Sequence, residues 1–292
     1  MKHRSTASLL CVGSMLIFGT VGLCRRLIPL PSATVAALRG ICGAVFILAF
    51  LLFRGKKPDM AGIRKSLVPL LVSGAVMGIN WVLLFESYSY TTVAAATLLY
   101  YMAPVFITIV SAFLLKERLT PLRIVCILAA VAGMVLISGI LGGDGAAFSL
   151  PGTLLALGAA ALYATVVLIN KRMPAMDPFS RTATQLLVAG VVVLPYALIV
   201  EHPAFTCLTG AGIAALAVIC LVHTGIAYLM YFGSMEALPA MSLAVFSYVD
   251  PVTAVLLSAL LLGEPLGITG IIGTVLILGS ALVSELVPAR RA

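Results

Sequence analysis

Two segments decide the fold. Residues 103–120 read APVFITIVSAFLLKERLT, and residues 250–267 read DPVTAVLLSALLLGEPLG. Laid 147 residues apart, they bring Pro104-Val105 onto Pro251-Val252, Ser111-Ala112 onto Ser258-Ala259, Leu114-Leu115 onto Leu261-Leu262, Glu117 onto Glu264 and Leu119 onto Leu266. The register holds without a gap from 78–119 onto 225–266, where Gly78-Ile79 meets Gly225-Ile226, Phe85 meets Phe232, Ser87 meets Ser234 and Tyr101 meets Tyr248. Two apolar segments share aliphatic residues by chance. Aligning the proline and the glutamate as well requires an internal repeat.

Composition places that repeat in a bilayer. Of the 292 residues, 62% are hydrophobic and 10% charged, where a soluble domain holds near half and about a quarter. A soluble core cannot absorb the surplus, so apolar surface must face lipid. A cytosolic enzyme and a secreted disulfide scaffold are excluded, and a nucleic-acid binder is disfavoured despite the net charge of +8. A spanning helix needs about 20 apolar residues. Ten runs qualify: 8–24, 33–53, 67–88, 92–115, 121–140, 150–170, 182–200, 209–235, 241–262 and 266–287. The loops between them are short, the longest lying around Arg54–Ser66.

Lysine and arginine collect on the cytoplasmic side of membrane proteins. With the amino terminus inside, the inner loops hold Lys2, Arg4, Arg54, Lys56, Lys57, Arg64, Lys65, Lys116, Arg118, Arg123, Lys171, Arg172, Arg181, Arg290 and Arg291. The outer loops hold Arg25 and Arg26, and Arg39 lies within a span. Adding or removing an early helix would scramble this asymmetry. Each half then has five spans, residues 1–145 and 146–292. Because five is odd, the second half enters the membrane with opposite polarity, which puts Glu117 inside and Glu264 outside. The expected fold is an all-α membrane protein of ten transmembrane helices in two inverted five-helix repeats, with both termini inside. Inverted repeats are a transporter architecture, in which two similar halves exchange conformations about a central site.

The basic start and the apolar run Leu9–Leu23 also fit a cleaved signal peptide. The first span has a partner in the second half, however, and Gly22-Leu23-Cys24 is a poor lipoprotein site. The six cysteines (Cys11, Cys24, Cys42, Cys126, Cys207, Cys220) lie in or beside spans without CxxC spacing. They read as small buried hydrophobes, not as a disulfide or metal framework.

The paired proline-to-glutamate segments and the 5+5 arrangement resemble the EamA-type families of the drug/metabolite transporter superfamily, over essentially the whole chain. That resemblance implies a multi-pass protein of the bacterial inner membrane, an exporter of amino acids or other small metabolites, with a central cavity between the halves and no cofactor. Arg39 sits where many members carry an arginine. Asp250 occupies a position that is often glutamate, so the side chain here is shorter.

The residues themselves also nominate a site. Pro104 and Pro251 fall near the middles of spans four and nine, and a proline inside a helix frees the carbonyl four residues earlier. Those carbonyls belong to Tyr100 and Ser247, and in hydrocarbon they must face protein, water or ligand; a packing kink is the plainer reading. Asp250 is the only carboxylate deep within a predicted span. Such residues are expensive and usually face a cavity or a partner. It is a candidate proton carrier or ligand for a substrate ammonium, or else a neutral acid bonded to a neighbouring helix. His223, near the middle of span eight, is a second proton-coupling candidate, although a lone membrane histidine is more often a satisfied donor. Arg39 either snorkels outward as an anchor or meets a substrate carboxylate.

Asn80 and Trp81 on span three, with Tyr228 and Tyr231 on span eight, occupy corresponding ends of the repeats. Tyr100, Tyr101, Phe246 and Tyr248 add aromatic surface beside the prolines. Apolar and aromatic walls with a few polar groups suit an amino acid or similar amphipathic metabolite, and packing is the plainer reading for any single ring. Glu86 reads as interfacial. Gly74-xxx-Gly78 and Gly263-xxx-Gly267 predict close helix approach, compatible with a monomer or a weak homodimer.

HExxH, GxSxG and P-loop motifs are absent, and no His/Cys/Asp cluster has metal-ligand spacing. The expected function is therefore a secondary transporter and not an enzyme, with drug or organic-cation carriage as the alternative. A channel would need a filter motif or a charged pore stripe, and neither is seen.

Overall fold

The computed structural model describes residues 2–114, 120–138, 149–235, 238, 240–264 and 267–286. Glu117 with its neighbours Lys116 and Arg118, and the basic pair Arg290 and Arg291, lie outside the described residues. Helices occupy nearly all of the described chain, and no strand occurs among those residues. In order they are α1 Lys2–Gly19, α2 Val21–Arg26, α3 Ser32–Phe53, α4 Met60–Lys65, α5 Leu67–Tyr90, α6 Val93–Tyr100, α7 Ala103–Leu114 and α8 Pro121–Ser138. The second half follows with α9 Leu150–Arg172, α10 Pro178–Tyr196, α11 Gly210–Ala217, α12 Ala227–Met235, α13 Ala240–Ser247, α14 Val249–Leu261 and α15 Ile268–Leu286. Two π-helical stretches, Ala197–Glu201 and Val218–Ile226, continue α10 and join α11 to α12.

Seven helical segments, two of them running across a break of one or two residues, are long and apolar enough to cross a membrane: Thr6–Arg26, Ser32–Phe53, Leu67–Tyr90, Val93–Val110, Leu150–Arg172, Pro178–Glu201 and Gly210–Ser234. The other three expected spans correspond to shorter apolar helices, Pro121–Ile137, Val245–Leu261 and Ile268–Ser284. The ten expected apolar segments are thus all helical, but three of them are too short among the described residues to count as full spans. Lipid is the natural solvent for the outside of this bundle. Leu52, Val125, Leu128, Leu154, Leu260 and Val275 are all more than half exposed, a density of large apolar side chains that water would penalise.

Helix starts follow local chemistry. Thr92, Ser149, Asp177 and Thr209 each accept a hydrogen bond from the amide three residues on, at the amino ends of α6, α9, α10 and α11. Such caps satisfy donors that the helix itself leaves open. Asp177 moves the start of the seventh span back to Pro178 from the expected 182, so Arg181 lies in the helix's first turn.

Small residues then let backbones touch. A Cβ on Gly40 of α3 would stand 2.7 Å from the Gly190 amide nitrogen of α10, and one on Gly190 would stand 2.8 Å from the Ala37 carbonyl. Gly133 of α8 and Gly273 of α15 meet in the same way, each 2.8 Å from the other's carbonyl oxygen. Gly74 and Gly78 pack on α10, as their spacing predicts. Gly263 does not act as a packing glycine. It sits in the turn after α14 at φ +64° with open space around it, a conformation that suits glycine because it lacks a Cβ.

The bundle's ends are tied by carboxylates. At one end, Glu201 accepts from the amides of Ala33 (2.9 Å) and Thr34 (2.8 Å) and from the Thr34 hydroxyl (2.9 Å), capping α3 from the other half. There, too, Arg26 pairs with Glu264 at 2.9 Å, and Glu264 accepts from the Val93 amide at the start of α6 at 2.9 Å. At the opposite end, Asp177 accepts from Ser180, whose hydroxyl also receives the Asp59 amide at 3.0 Å.

Candidate functional site

The predicted proline positions mark real breaks, with a different local geometry from the one expected. Spans four and nine are each two helices, and α13 begins and ends 147 residues after α6. Pro104 and Pro251 therefore stand in the first turns of α7 and α14, where no backbone donor is needed, and not inside a continuous helix. The interruption opens backbone polarity to side chains. The Ser247 carbonyl, at the end of α13, lies 3.3 Å from the Tyr101 hydroxyl.

That hydroxyl lies nearer still to Asp250. Tyr101 Oη donates to Asp250 Oδ2 at 2.9 Å, a contact between the break of one half and the break of the other. Around it the rings of Tyr100 and Tyr248 lie 6.5 and 6.3 Å from that of Tyr101, and Tyr163 of α9 is 5.6 Å from Tyr100. The Tyr100 hydroxyl donates to Asn80 Oδ1 at 3.4 Å, and Asn80 Nδ2 donates to the Ala159 carbonyl. Tyr100, Tyr101, Asn80, Ser247, Tyr248 and Asp250 thus form one polar, aromatic cluster.

Arg39 is not a snorkelling anchor. Only 5% of it is exposed, and its guanidinium carbon sits 4.2 Å from the Trp81 ring centroid and 5.8 Å from that of Phe85. Its Nε donates to Thr224 Oγ1 at 2.9 Å. Among the described residues the ion pair is Arg26–Glu264, and Arg39 forms none with Asp250.

His223 is buried and doubly partnered. Its Nδ1 meets the Val218 carbonyl at 3.1 Å and its Nε2 meets Thr20 Oγ1 at 2.7 Å. Thr20 Oγ1 also lies 2.8 Å from the Ile17 carbonyl as a donor, so its one proton serves either that carbonyl or Nε2, whereas Nδ1–H donates to the Val218 carbonyl. The π-helical stretch makes this possible, since both His223 and Thr224 bond carbonyls five residues earlier. Insertions of this type concentrate at functional sites.

The remaining candidates scatter. Tyr228 packs on Phe18 (5.4 Å) and Phe232 (5.9 Å), and Tyr231 on Phe232 (5.6 Å), in an aromatic cluster that Phe179 extends. Phe246 is half-buried in α13, and Pro251 is buried. Pro104 lines a crevice with Thr108, Cys126, Ser280 and Ser284, between α7, α8 and α15. Glu86 is half-buried. The cysteines are free thiols; Cys207 is exposed, against the expectation of burial, because it lies in the turn before α11.

Sequence reasoning overlooked Thr20, Thr224 and Tyr163. Thr20 follows Gly19, whose missing side chain lets the Asp250 carbonyl approach: a Cβ there would be 2.7 Å from that oxygen. The adjacent Gly19-Thr20 pair at a helix break was the available signal. Among the described residues, no group of three His, Cys, Asp or Glu side chains is placed to hold a metal.

These features define a polytopic helical membrane protein with a polar cluster in its interior. Comparison with known proteins makes the class specific: the EamA-like transporter family model matches residues 5–139 and again 150–285, and the chain belongs to that family. It is a multi-pass transporter of the bacterial inner membrane, not an enzyme. An uncharacterized transporter of Bacillus subtilis, YxxF, is 28% identical over 90% of this chain and 84% of its own length. The Salmonella typhimurium uncharacterized inner membrane transporter YicL is 23% identical over 94% of each. A crystal structure 24% identical, covering 96% of both chains at a TM-score of 0.64, shares the fold.

Proposed function

We propose that this transporter moves amino acids or similar small metabolites across the inner membrane, as an exporter, by alternating access between two inverted five-helix halves. The observation that carries the reading is the Tyr101–Asp250 hydrogen bond, which joins the helix breaks of the two halves. A contact there is remade whenever the halves move relative to each other.

Its chemistry suits a coupling site. While Asp250 is ionised it can only accept, and Tyr101 donates to it. Once protonated, Asp250 can donate to the phenol oxygen, and the phenol proton then turns to the Ser247 carbonyl at 3.3 Å. A substrate ammonium would compete for the same carboxylate. Protonation or substrate arrival therefore changes how the halves are tied. His223 is the second coupling candidate, through Thr20 on the break between α1 and α2. Substrate and lipid are the partners of this reading, in a monomer or weak homodimer.

The rings of Tyr100, Tyr101, Tyr163 and Tyr248 about one carboxylate favour a second reading, an organic-cation or drug carrier, because cations sit well over aromatic faces. Proteoliposomes test both. Saturable counterflow of a labelled amino acid supports the first reading, and counterflow of amines alone supports the second. Asp250→Asn should abolish dependence on a proton gradient. Normal transport with an unchanged pH response in that variant would remove Asp250 from the mechanism, and single-channel currents independent of exchange would overturn the carrier itself.

A further inference from the structure

We propose that Arg39 is the anchor for a substrate carboxylate, so that the cargo of this site carries an acid group. Arginine presents five N–H donors in a planar fork. Only one is used here. Nε donates to Thr224, and among the described residues this is the hydrogen bond Arg39 makes; Nη1 and Nη2 make none. Although Arg39 is only 5% exposed, Nη1 and Nη2 are not among the fully enclosed side-chain atoms without a partner, so both remain reachable, and neither hydrocarbon nor aromatic carbon can accept from them.

The geometry fixes the fork as well as leaving it open. Trp81 supports one face of the guanidinium at 4.2 Å. Thr224 holds the Nε edge, and its own hydroxyl is turned away to donate to the Ile219 carbonyl at 2.9 Å, so that a lone pair faces Arg39. What remains free is the end-on pair Nη1 and Nη2, whose parallel N–H bonds match the two oxygens of a carboxylate. Lysine could not take this place, because it has neither the plane to stack nor the fork.

The one interior carboxylate of the cluster does not fill the fork. Asp250 is bonded to Tyr101, and no ion pair joins it to Arg39. A zwitterion would set its carboxylate on Arg39 and its ammonium toward Asp250. The inference rests on the carrier reading and narrows it to acid-bearing cargo, against organic cations that lack an acid.

Trp81 is the single tryptophan of the chain, so its emission reports on Arg39 directly. Purified protein in detergent is titrated with a panel of non-aromatic L-amino acids, each beside its own amide and the matching decarboxylated amine. At least one amino acid should change Trp81 emission saturably, with its amide at least tenfold weaker. Arg39→Lys, confirmed as folded by its melting curve, should weaken that ligand at least tenfold. The proposal is overturned if no amino acid changes the emission, or if amides bind as tightly as the acids. Counterflow in proteoliposomes separates the two claims: carriage of amides and amines but not acids leaves the carrier and removes the anchor. Saturable emission changes with acids but no counterflow of them leave the anchor and remove the carrier.

Discussion

Gly40→Ala probes the α3–α10 crossing, the contact on which the position of Arg39 depends. The added Cβ would stand 2.7 Å from the Gly190 amide nitrogen, 2.7 Å from the Leu186 carbonyl oxygen and 2.9 Å from Gly190 Cα. All three are backbone atoms of α10, so no rotamer change relieves them. Ordinary contact begins at 3.4 Å, and the helices must separate by roughly 0.7 Å to reach it. Overpacking of this kind costs about 1–3 kcal/mol, and the better helix propensity of alanine returns about 1 kcal/mol. The net loss is about 0–2 kcal/mol against wild type and about 1–3 kcal/mol against an unobstructed Gly→Ala change, read as a melting point lower than that control's by several degrees. Thermal unfolding in one detergent, beside Gly279→Ala, reads it. Gly279 in α15 has nothing within 4 Å of an added Cβ, so its variant should melt at or slightly above the wild-type temperature. Arg39 is the neighbour of Gly40, so any ligand of the Arg39 fork should also weaken in Gly40→Ala. A Gly40→Ala protein as stable as Gly279→Ala would refute the reasoning, since the backbones could not then be in contact.

Three further outcomes follow from the buried and terminal polar groups. Glu264→Gln removes the ion pair to Arg26, whose side chain is 37% exposed, and weakens the cap on Val93; with about 1–2 kcal/mol at stake, amide hydrogen exchange in residues 93–96 should speed up roughly five- to thirtyfold, and unchanged exchange would show that the cap contributes nothing. Glu201→Gln halves the capping of α3, and its melting point should fall by the equivalent of about 1 kcal/mol. Gln185 Nε2 donates to Ser73 (2.6 Å) and Asn170 (2.8 Å) between α5, α9 and α10; Gln185→Leu leaves the Asn170 carbonyl oxygen open and should destabilise by about 1–3 kcal/mol, whereas a neutral effect would mean that water already serves that site.

Several parts of this arrangement could be read before any coordinates. Proline, tyrosine or serine, and glutamate recur 147 residues apart, and the paired helices α6 and α13 keep that spacing at both ends. Asp250, Arg39 and His223 were legible as costly residues in apolar runs. By the same offset they fall on Ala103, Leu186 and Val76, so the polar cluster is lopsided although its scaffold is duplicated. Which groups meet was not legible. Tyr101 finds Asp250 and Arg39 finds Trp81 across helices whose rotation depends on packing, and periodicity within one helix carries no information about its neighbour's azimuth. The π-helical stretch was hidden as well, since a backbone register of five residues in place of four has no residue type that marks it. Gly263 misled because glycine spacing alone does not distinguish a packed face from a turn.

The antiparallel pair α3 and α10 is clamped at each extremity, by Glu201 over Ala33 and Thr34 and by Asp59 and Asp177 around Ser180, and its midpoint is a bare backbone crossing at Gly40 and Gly190. A joint fastened top and bottom and free of bulk at its waist resists sliding and prising but tolerates a swivel. In the alternating-access cycle proposed above, the pair would serve as a spindle, with the broken helices α6–α7 and α13–α14 as the parts that turn around it.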